Sequence, residues 1–316
     1  MKVMVTGGNG FVGRVLVERL LADGTEINGE KITALTVADM SCDGLPDDAR
    51  LTCVEGSIAD LGVLEQAVAG EPELVFHLAS IPGGAAERHF ELGLDVNLTA
   101  TVNLYEALRK FEQPARMVFT STIAVYGSPM PEVINDDTPL KPHISYGYQK
   151  LATEILLQDY SRRGFIDGRI VRLPGIVARP PQPSGLMSAY MSDIFWKLKA
   201  GEPFTCPVSE QGVSWFMSVP CCVDNLLHAA SIAEADIRPR RDFTLPVLRL
   251  TMKELIAGLA KRYGQDRLDL VTFAPNAELE AGFATQPPLQ AEAALAIGYQ
   301  HDGDLDTLID RATLAG

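Results

Sequence analysis

Apolar residues follow two rhythms along this chain. Lys2-Val3-Met4-Val5, Lys31–Asp39, Leu51–Glu55, Leu74–Ser80, Arg116–Thr122 and Asp167–Pro174 are short, nearly continuous apolar runs, the mark of strands buried on both faces. Between them, Arg14–Leu21, Ala86–Lys110 and residues 145–163 space their apolar positions three and four apart, which predicts helices. In Ala86–Lys110, Leu94, Leu98, Tyr105 and Leu108 share one face at about 100° per residue, and Leu92 and Val96 lie on the opposite one. In the later helix Leu151 and Ile155 lie on one side, Leu156 and Tyr160 on another. Both helices are therefore expected to be covered twice. Alternating strands and helices specify an α/β chain with a doubly wound parallel sheet. Past Pro174 the pattern changes, and Pro180, Pro181 and Pro183 follow closely. The expected division is 1–178 for the sheet domain and 179–316 for a smaller α+β substrate lobe, with room for elements of the two to interleave.

Composition narrows the partners. With 316 residues and 47% apolar content the chain can bury a large core. Its net charge of −14, from 27 basic and 41 acidic residues, opposes binding to nucleic acid or anionic membrane. An anionic substrate must meet a locally placed cation. Cys42, Cys53, Cys206, Cys221 and Cys222 fit no zinc spacing, so no metal and a reducing compartment are expected. The first apolar run is too short for a signal peptide, and none approaches the roughly 18 residues of a membrane span. A cytoplasmic protein is the expectation.

The candidate chemistry starts at Thr6-Gly7-Gly8-Asn9-Gly10-Phe11-Val12-Gly13, between the first strand and the first helix. Gly7 and Gly10 permit a tight turn in which bare amides face a pyrophosphate at the positive end of the helix, and Gly13 permits close helix packing. An ordinary strand-to-helix turn is the plain alternative. Asp39, ending the second strand, stands where a dinucleotide fold presents a carboxylate to the adenine ribose; a strand-end turn residue is the alternative. His77, inside a continuous apolar strand, is expected to be a packed core residue. Tyr146 and Lys150, four apart, share a helix face, and an ammonium beside a phenol favours the phenolate. That makes Tyr146 a candidate base.

In this order the motifs resemble the extended branch of the short-chain dehydrogenase/reductase superfamily. Gly-x-x-Gly-x-x-Gly after Thr6, Thr120-Ser121-Thr122-Ile123-Ala124-Val125-Tyr126-Gly127 and Ser145-Tyr146-Gly147-Tyr148-Gln149-Lys150 carry the likeness over about the first 180 residues. It implies a Rossmann domain binding NAD, with Thr122, Tyr146 and Lys150 catalytic. It aligns Thr122 with the family's serine and lets Lys150 bond the nicotinamide ribose. Along the cofactor it places Gly7, Gly10, Phe11, Val12, Gly13, Asp39, Ser57, Ile58, Leu78, Ala79, Ser80, Asn97, Thr120, Pro174 and Ile176. Ser57 stands where the family usually has Asp. Asn97 occupies a position that ties the sheet to the cofactor region. The family pairs the helices near 86–110 and 145–163 across a homodimer.

Two substrate classes compete. Nucleotide-sugar epimerases and dehydratases of the family use an Asn after the sixth strand, where Gly175 stands, and an Arg in the C-terminal lobe; no Arg occurs between Arg179 and Arg238. The run from Ser145 through Arg172-Leu173-Pro174 is instead similar to the D-erythronate dehydrogenase branch, which oxidises a four-carbon sugar acid with NAD. Trp215 matches a tryptophan of that branch, although Ser214 and Phe216 replace its polar and basic neighbours. Ser80, Arg88, Thr122, Gly175, Arg179 and Trp215 are the substrate candidates. A third reading, dinucleotide binding without catalysis, goes with loss of the tyrosine or lysine, and both are kept.

Overall fold

The computed structural model describes residues 1–181 and 186–314; Pro183 of the proline cluster lies outside them. The chain forms two compact units. One comprises Met1–Val125, Pro142–Arg172 and Val223–Phe243, the other Tyr126–Lys141, Leu173–Cys222 and Thr244–Gly316. The chain passes between the units repeatedly, because segments distant in sequence complete each core.

The first unit is built on a seven-stranded sheet. Strand Lys2–Thr6, inside the sheet, pairs in parallel with Ala34–Asp39 on one side and with the middle strand Leu74–His77 on the other. Leu51–Glu55 extends the first side and Arg116–Thr122 the second, also in parallel; Asp167–Leu173 and Asp242–Thr244 follow. The chain thus winds outward to one edge and returns to wind the other way. This reversal falls between Lys2–Thr6 and Leu74–His77, and the carboxyl ends of strands at such a reversal are where open parallel sheets carry their ligand sites. Met4, Val75, Met117, Phe119, Leu104, Leu157 and Ile170 pack into one buried cluster on the sheet.

The segment Ala86–Lys110 is not one continuous α-helix. Helix Gly83–Arg88 ends at His89 (φ −127°, ψ 71°), Phe90–Gly93 makes a single turn, Leu94–Thr99 is a π-helix and Ala100–Leu108 returns to α geometry. A π-turn advances fewer degrees per residue, so the two faces drawn at 100° lose phase. Leu92 stays 48% exposed while Val96 and Leu108 are buried.

In the second unit, strands Gly175–Val177, Val213–Ser218 and Leu248–Thr251 form a three-stranded sheet, its first pair parallel and its second antiparallel. Helix Met252–Tyr263 opens with a capping box between Thr251 and Glu254, a local sequence signal. Its apolar face joins those of Tyr190–Ala200 and Leu305–Leu314 around Phe195, Leu198, Phe216, Leu255 and Ile309.

Candidate active site

At the glycine turn each candidate glycine has its own reason. Gly7 adopts φ +72°, and a Cβ there would lie 2.7 Å from the Ala79 amide nitrogen, so the loops after strands Lys2–Thr6 and Leu74–His77 touch backbone to backbone. At Gly13 a Cβ would lie 2.1 Å from the Gly7 carbonyl oxygen. Gly10, with ordinary φ, caps helix Phe11–Leu21 without a side-chain hydrogen bond, and its bare backbone lets a ligand approach the helix end. Asp39 sits beside this turn, half-buried. Its carboxylate accepts from the amides of Asn9 at 2.8 Å and Met40 at 2.7 Å. Ser57, one strand further, turns its hydroxyl to the Ala59 amide, with Ile58 buried next to it.

The loop after Leu74–His77 carries Leu78, Ala79 and Ser80. Leu78 donates its amide to the Thr6 carbonyl, and the Ala79 amide to the Thr6 hydroxyl. Asn97, buried in the π-helix, brackets the next residue: Oδ1 accepts from the Ile81 amide at 2.7 Å and Nδ2 donates to the Ile81 carbonyl at 3.0 Å. The same Nδ2 donates to Gln149 Oε1 on the helix Ser145–Arg162. His77 is a wholly buried core residue flanked by the hydroxyls of Thr6 and Thr101, and burial drives its pKa down to about 3.

On helix Ser145–Arg162 the Tyr146 hydroxyl meets those of Ser80 and Thr122. Burial pushes the phenol above its usual value, and these two hydrogen bonds pull it back. Gly147 allows the approach, since a Cβ there would lie 2.6 Å from the Ala124 carbonyl oxygen. Lys150, one turn on, is 1% exposed; Nζ donates to the Thr120 carbonyl at 2.8 Å and lies 4.6 Å from the centre of the Phe119 ring. Desolvation lowers its pKa to about 7, against the opposing pull of Glu154. The expected lysine-driven depression of the phenol is thus replaced by burial of both groups.

Behind them lies a network that sequence reasoning missed. Glu154, fully buried, accepts from the Ser121 hydroxyl and from Arg172, whose guanidinium also reaches Asp242 at 2.7 Å. Its signal was a carboxylate four residues after Lys150, on the same helix face.

The substrate candidates divide. Ser80 and Thr122 face Tyr146, whereas Arg88 is exposed at the end of helix Gly83–Arg88. Trp215 is wholly buried, its indole N–H donating to the Pro287 carbonyl at 2.8 Å. At Gly175 a Cβ would lie 2.7 Å from both the Trp215 carbonyl oxygen and Met191 Cε, so the neighbouring strand occupies the space an Asn would need. Arg179 is half-buried and its carbonyl accepts from Trp196. Pro174 and Val177 are buried, with Ile176 partly so between them. Cys42 and Cys53 form a disulfide, Cα atoms 6.3 Å apart, and Cys206, Cys221 and Cys222 are buried free thiols. The loop after Asp39 folds back beside strand Leu51–Glu55, a contact no spacing rule reveals. Among the described residues no cluster of His, Cys, Asp or Glu could hold a metal ion, and no helix is long and apolar enough to cross a membrane.

This geometry suits a dinucleotide: a cradle that any Cβ would fill, an uncapped helix start and a carboxylate beside it. The pattern of the NAD dependent epimerase/dehydratase family matches residues 3–243. The chain belongs to that family. Within the family it is 40% identical over 313 residues to the D-erythronate dehydrogenase of Cupriavidus necator, covering 98% of this chain and 97% of that one. It is 34% identical over 313 residues to the D-erythronate dehydrogenase of Haemophilus influenzae, covering 98% of each. The crystal structure of a nucleoside-diphosphate-sugar epimerase from Agrobacterium tumefaciens superposes with a TM-score of 0.92 at 34% identity, covering 98% of this chain and 92% of that one.

Proposed function

We propose that this family member is an NAD-dependent dehydrogenase that oxidises a hydroxyl of a small sugar acid, D-erythronate or a close relative. The observation that carries the reading is the meeting of three hydroxyls, those of Tyr146, Ser80 and Thr122, one helical turn from Lys150. Thr122 and Ser80 orient the substrate hydroxyl, and the Tyr146 phenolate takes its proton as general base. Lys150, one turn on, reaches toward the nicotinamide ribose. The nicotinamide, when bound, supplies hydride acceptance. Gly7, Gly10, Phe11, Val12 and Gly13 cradle the pyrophosphate, and Asp39 takes the adenine ribose, which favours NAD over NADP because a 2′-phosphate would face a carboxylate.

The relatives of known name at 40% and 34% identity support the sugar acid. A nucleotide-sugar substrate is the second reading, favoured by the Agrobacterium likeness. The crowding at Gly175 and the stretch without Arg from 180 to 237 count against a diphosphate clamp there. Reduced-nicotinamide absorbance with four- to six-carbon sugar acids and with nucleotide sugars tests this. Turnover of a uridine or thymidine diphosphate sugar with no response to any sugar acid would reverse it.

The proposed assembly is a homodimer in the cytoplasm, paired through the helical segments near 86–110 and 145–163. Phe90, Leu92, Tyr148 and Ile155 are each about half exposed or more on these segments, an apolar surface that a second copy would cover. Light scattering at a monomer mass over the micromolar range would remove this assignment.

A further inference from the structure

A cation is linked to the proposed ribose carboxylate through Asn9, although no basic residue adjoins Asp39 in sequence. Arg14, in the first turn of helix Phe11–Leu21, reaches back over the glycine turn. Its Nη2 donates to Asn9 Oδ1 at 2.6 Å and to the Asp43 carbonyl at 2.9 Å, and its Nη1 to the Gly44 carbonyl at 2.9 Å. Gly44, at φ +74°, lies directly beneath it, since a Cβ there would be 2.9 Å from Nη1. Asn9 completes the loop by donating Nδ2 to the carbonyls of Ser41 and Asp43. Asn9 thereby joins the two charges: its amide donates to Asp39 Oδ2, and its side-chain oxygen accepts from Arg14.

All these partners of Arg14 are neutral oxygens. A guanidinium bonds a phosphate through shorter, charge-assisted pairs than it makes with a carbonyl, and the loop carbonyls at Asp43 and Gly44 are exposed enough to return to water. Asp39 opposes that exchange by placing like charge at the 2′ position.

We infer that Arg14 is a second determinant of dinucleotide choice, a 2′-phosphate ligand masked by Asp39. The inference rests on the reading of Asp39 as the ribose ligand. In the native chain Arg14 braces the Met40–Gly44 loop, and the carboxylate selects NAD. With the carboxylate replaced by a small neutral side chain, the same guanidinium takes the phosphate of NADP.

Calorimetric titration of NAD and NADP into the full-length wild type, Asp39→Ser, Asp39→Ser/Arg14→Leu and Asp39→Ser/Arg14→Lys tests this. Asp39→Ser should raise the NADP-to-NAD affinity ratio by about 100-fold. Adding Arg14→Leu should remove about tenfold or more of the NADP affinity while moving NAD much less, the scale of one or two charge-assisted bonds. Arg14→Lys should restore part of the loss, and the Arg14-dependent gain should shrink as salt rises. Thermal melts of each variant separate misfolding from lost recognition. Equal NADP affinity with and without Arg14, or an equal loss for both dinucleotides, would overturn the inference. A wild type that binds NAD and NADP alike would overturn the Asp39 reading instead, and the comparison of single and double variants would still decide Arg14.

Discussion

The ammonium of Lys150 donates to the main-chain carbonyl of Thr120 at 2.8 Å, on the strand whose last residue, Thr122, turns its hydroxyl to Tyr146. One bond therefore ties helix Ser145–Arg162 to the end of strand Arg116–Thr122. It also keeps Lys150 within the apolar wall formed by Phe119, where an ammonium is poorly solvated.

Tyr146→Phe should bind NAD as the wild type does and lose turnover by about 10² to 10⁴. Because burial raises the phenol, wild-type kcat/KM for alcohol oxidation should climb as pH rises through the Tyr146 pKa and fall away on the acid side. The residual activity of the phenylalanine variant should lack that limb. A normal rate in the variant, or a wild-type profile flat across the alkaline range, would count against the base assignment.

Lys150→Met should abolish turnover without lowering the melting temperature at neutral pH. The lysine pKa falls from 10.5 unfolded to about 7 folded, so the folded state favours the neutral amine. Its contribution to stability is full above the unfolded value and declines as pH drops toward 7. A methionine carries no such cost, and the slope of stability between pH 7 and 10.5 should flatten in the variant. Urea midpoints across that range read the difference.

Glu154→Ala should destabilise the protein by about 3–5 kcal/mol, the usual loss when one partner of a buried pair is removed. Arg172 then loses its buried carboxylate partner and keeps its ion pair with Asp242. Glu154→Gln retains acceptors for Ser121 and Arg172 and should cost less. Denaturant titration of both variants checks the order.

Gly175→Asn should not create a diphosphate site. Its Cβ meets a backbone oxygen at 2.7 Å, so strand Gly175–Val177 must shift, at about 1–3 kcal/mol. A lower melting temperature with no gain in nucleotide-sugar binding is expected. Tight binding of such a sugar would show that sequence alone, and no lack of space, excluded it.

What the sequence determined is local or periodic. The first strand, glycine turn and helix follow one another within 21 residues, and each declares itself through apolar rhythm or the steric freedom of glycine. Tyr146 and Lys150 share a face because helical geometry requires it, and His77 reads as core because its neighbours are apolar. The relations across elements came from tertiary structure alone. Ser80 reaches Tyr146 because the loop after strand Leu74–His77 meets the start of helix Ser145–Arg162. Arg14 is linked to Asp39 through Asn9 because a loop folds back over the turn, and Cys42 finds Cys53 for the same reason. Trp215, singled out by family likeness, lies wholly buried, and Gly175 is crowded by a strand 40 residues later. Periodicity carries information about neighbours on one element. Which residues of different elements meet is set by how the sheet is wound, and no single stretch of the chain records that.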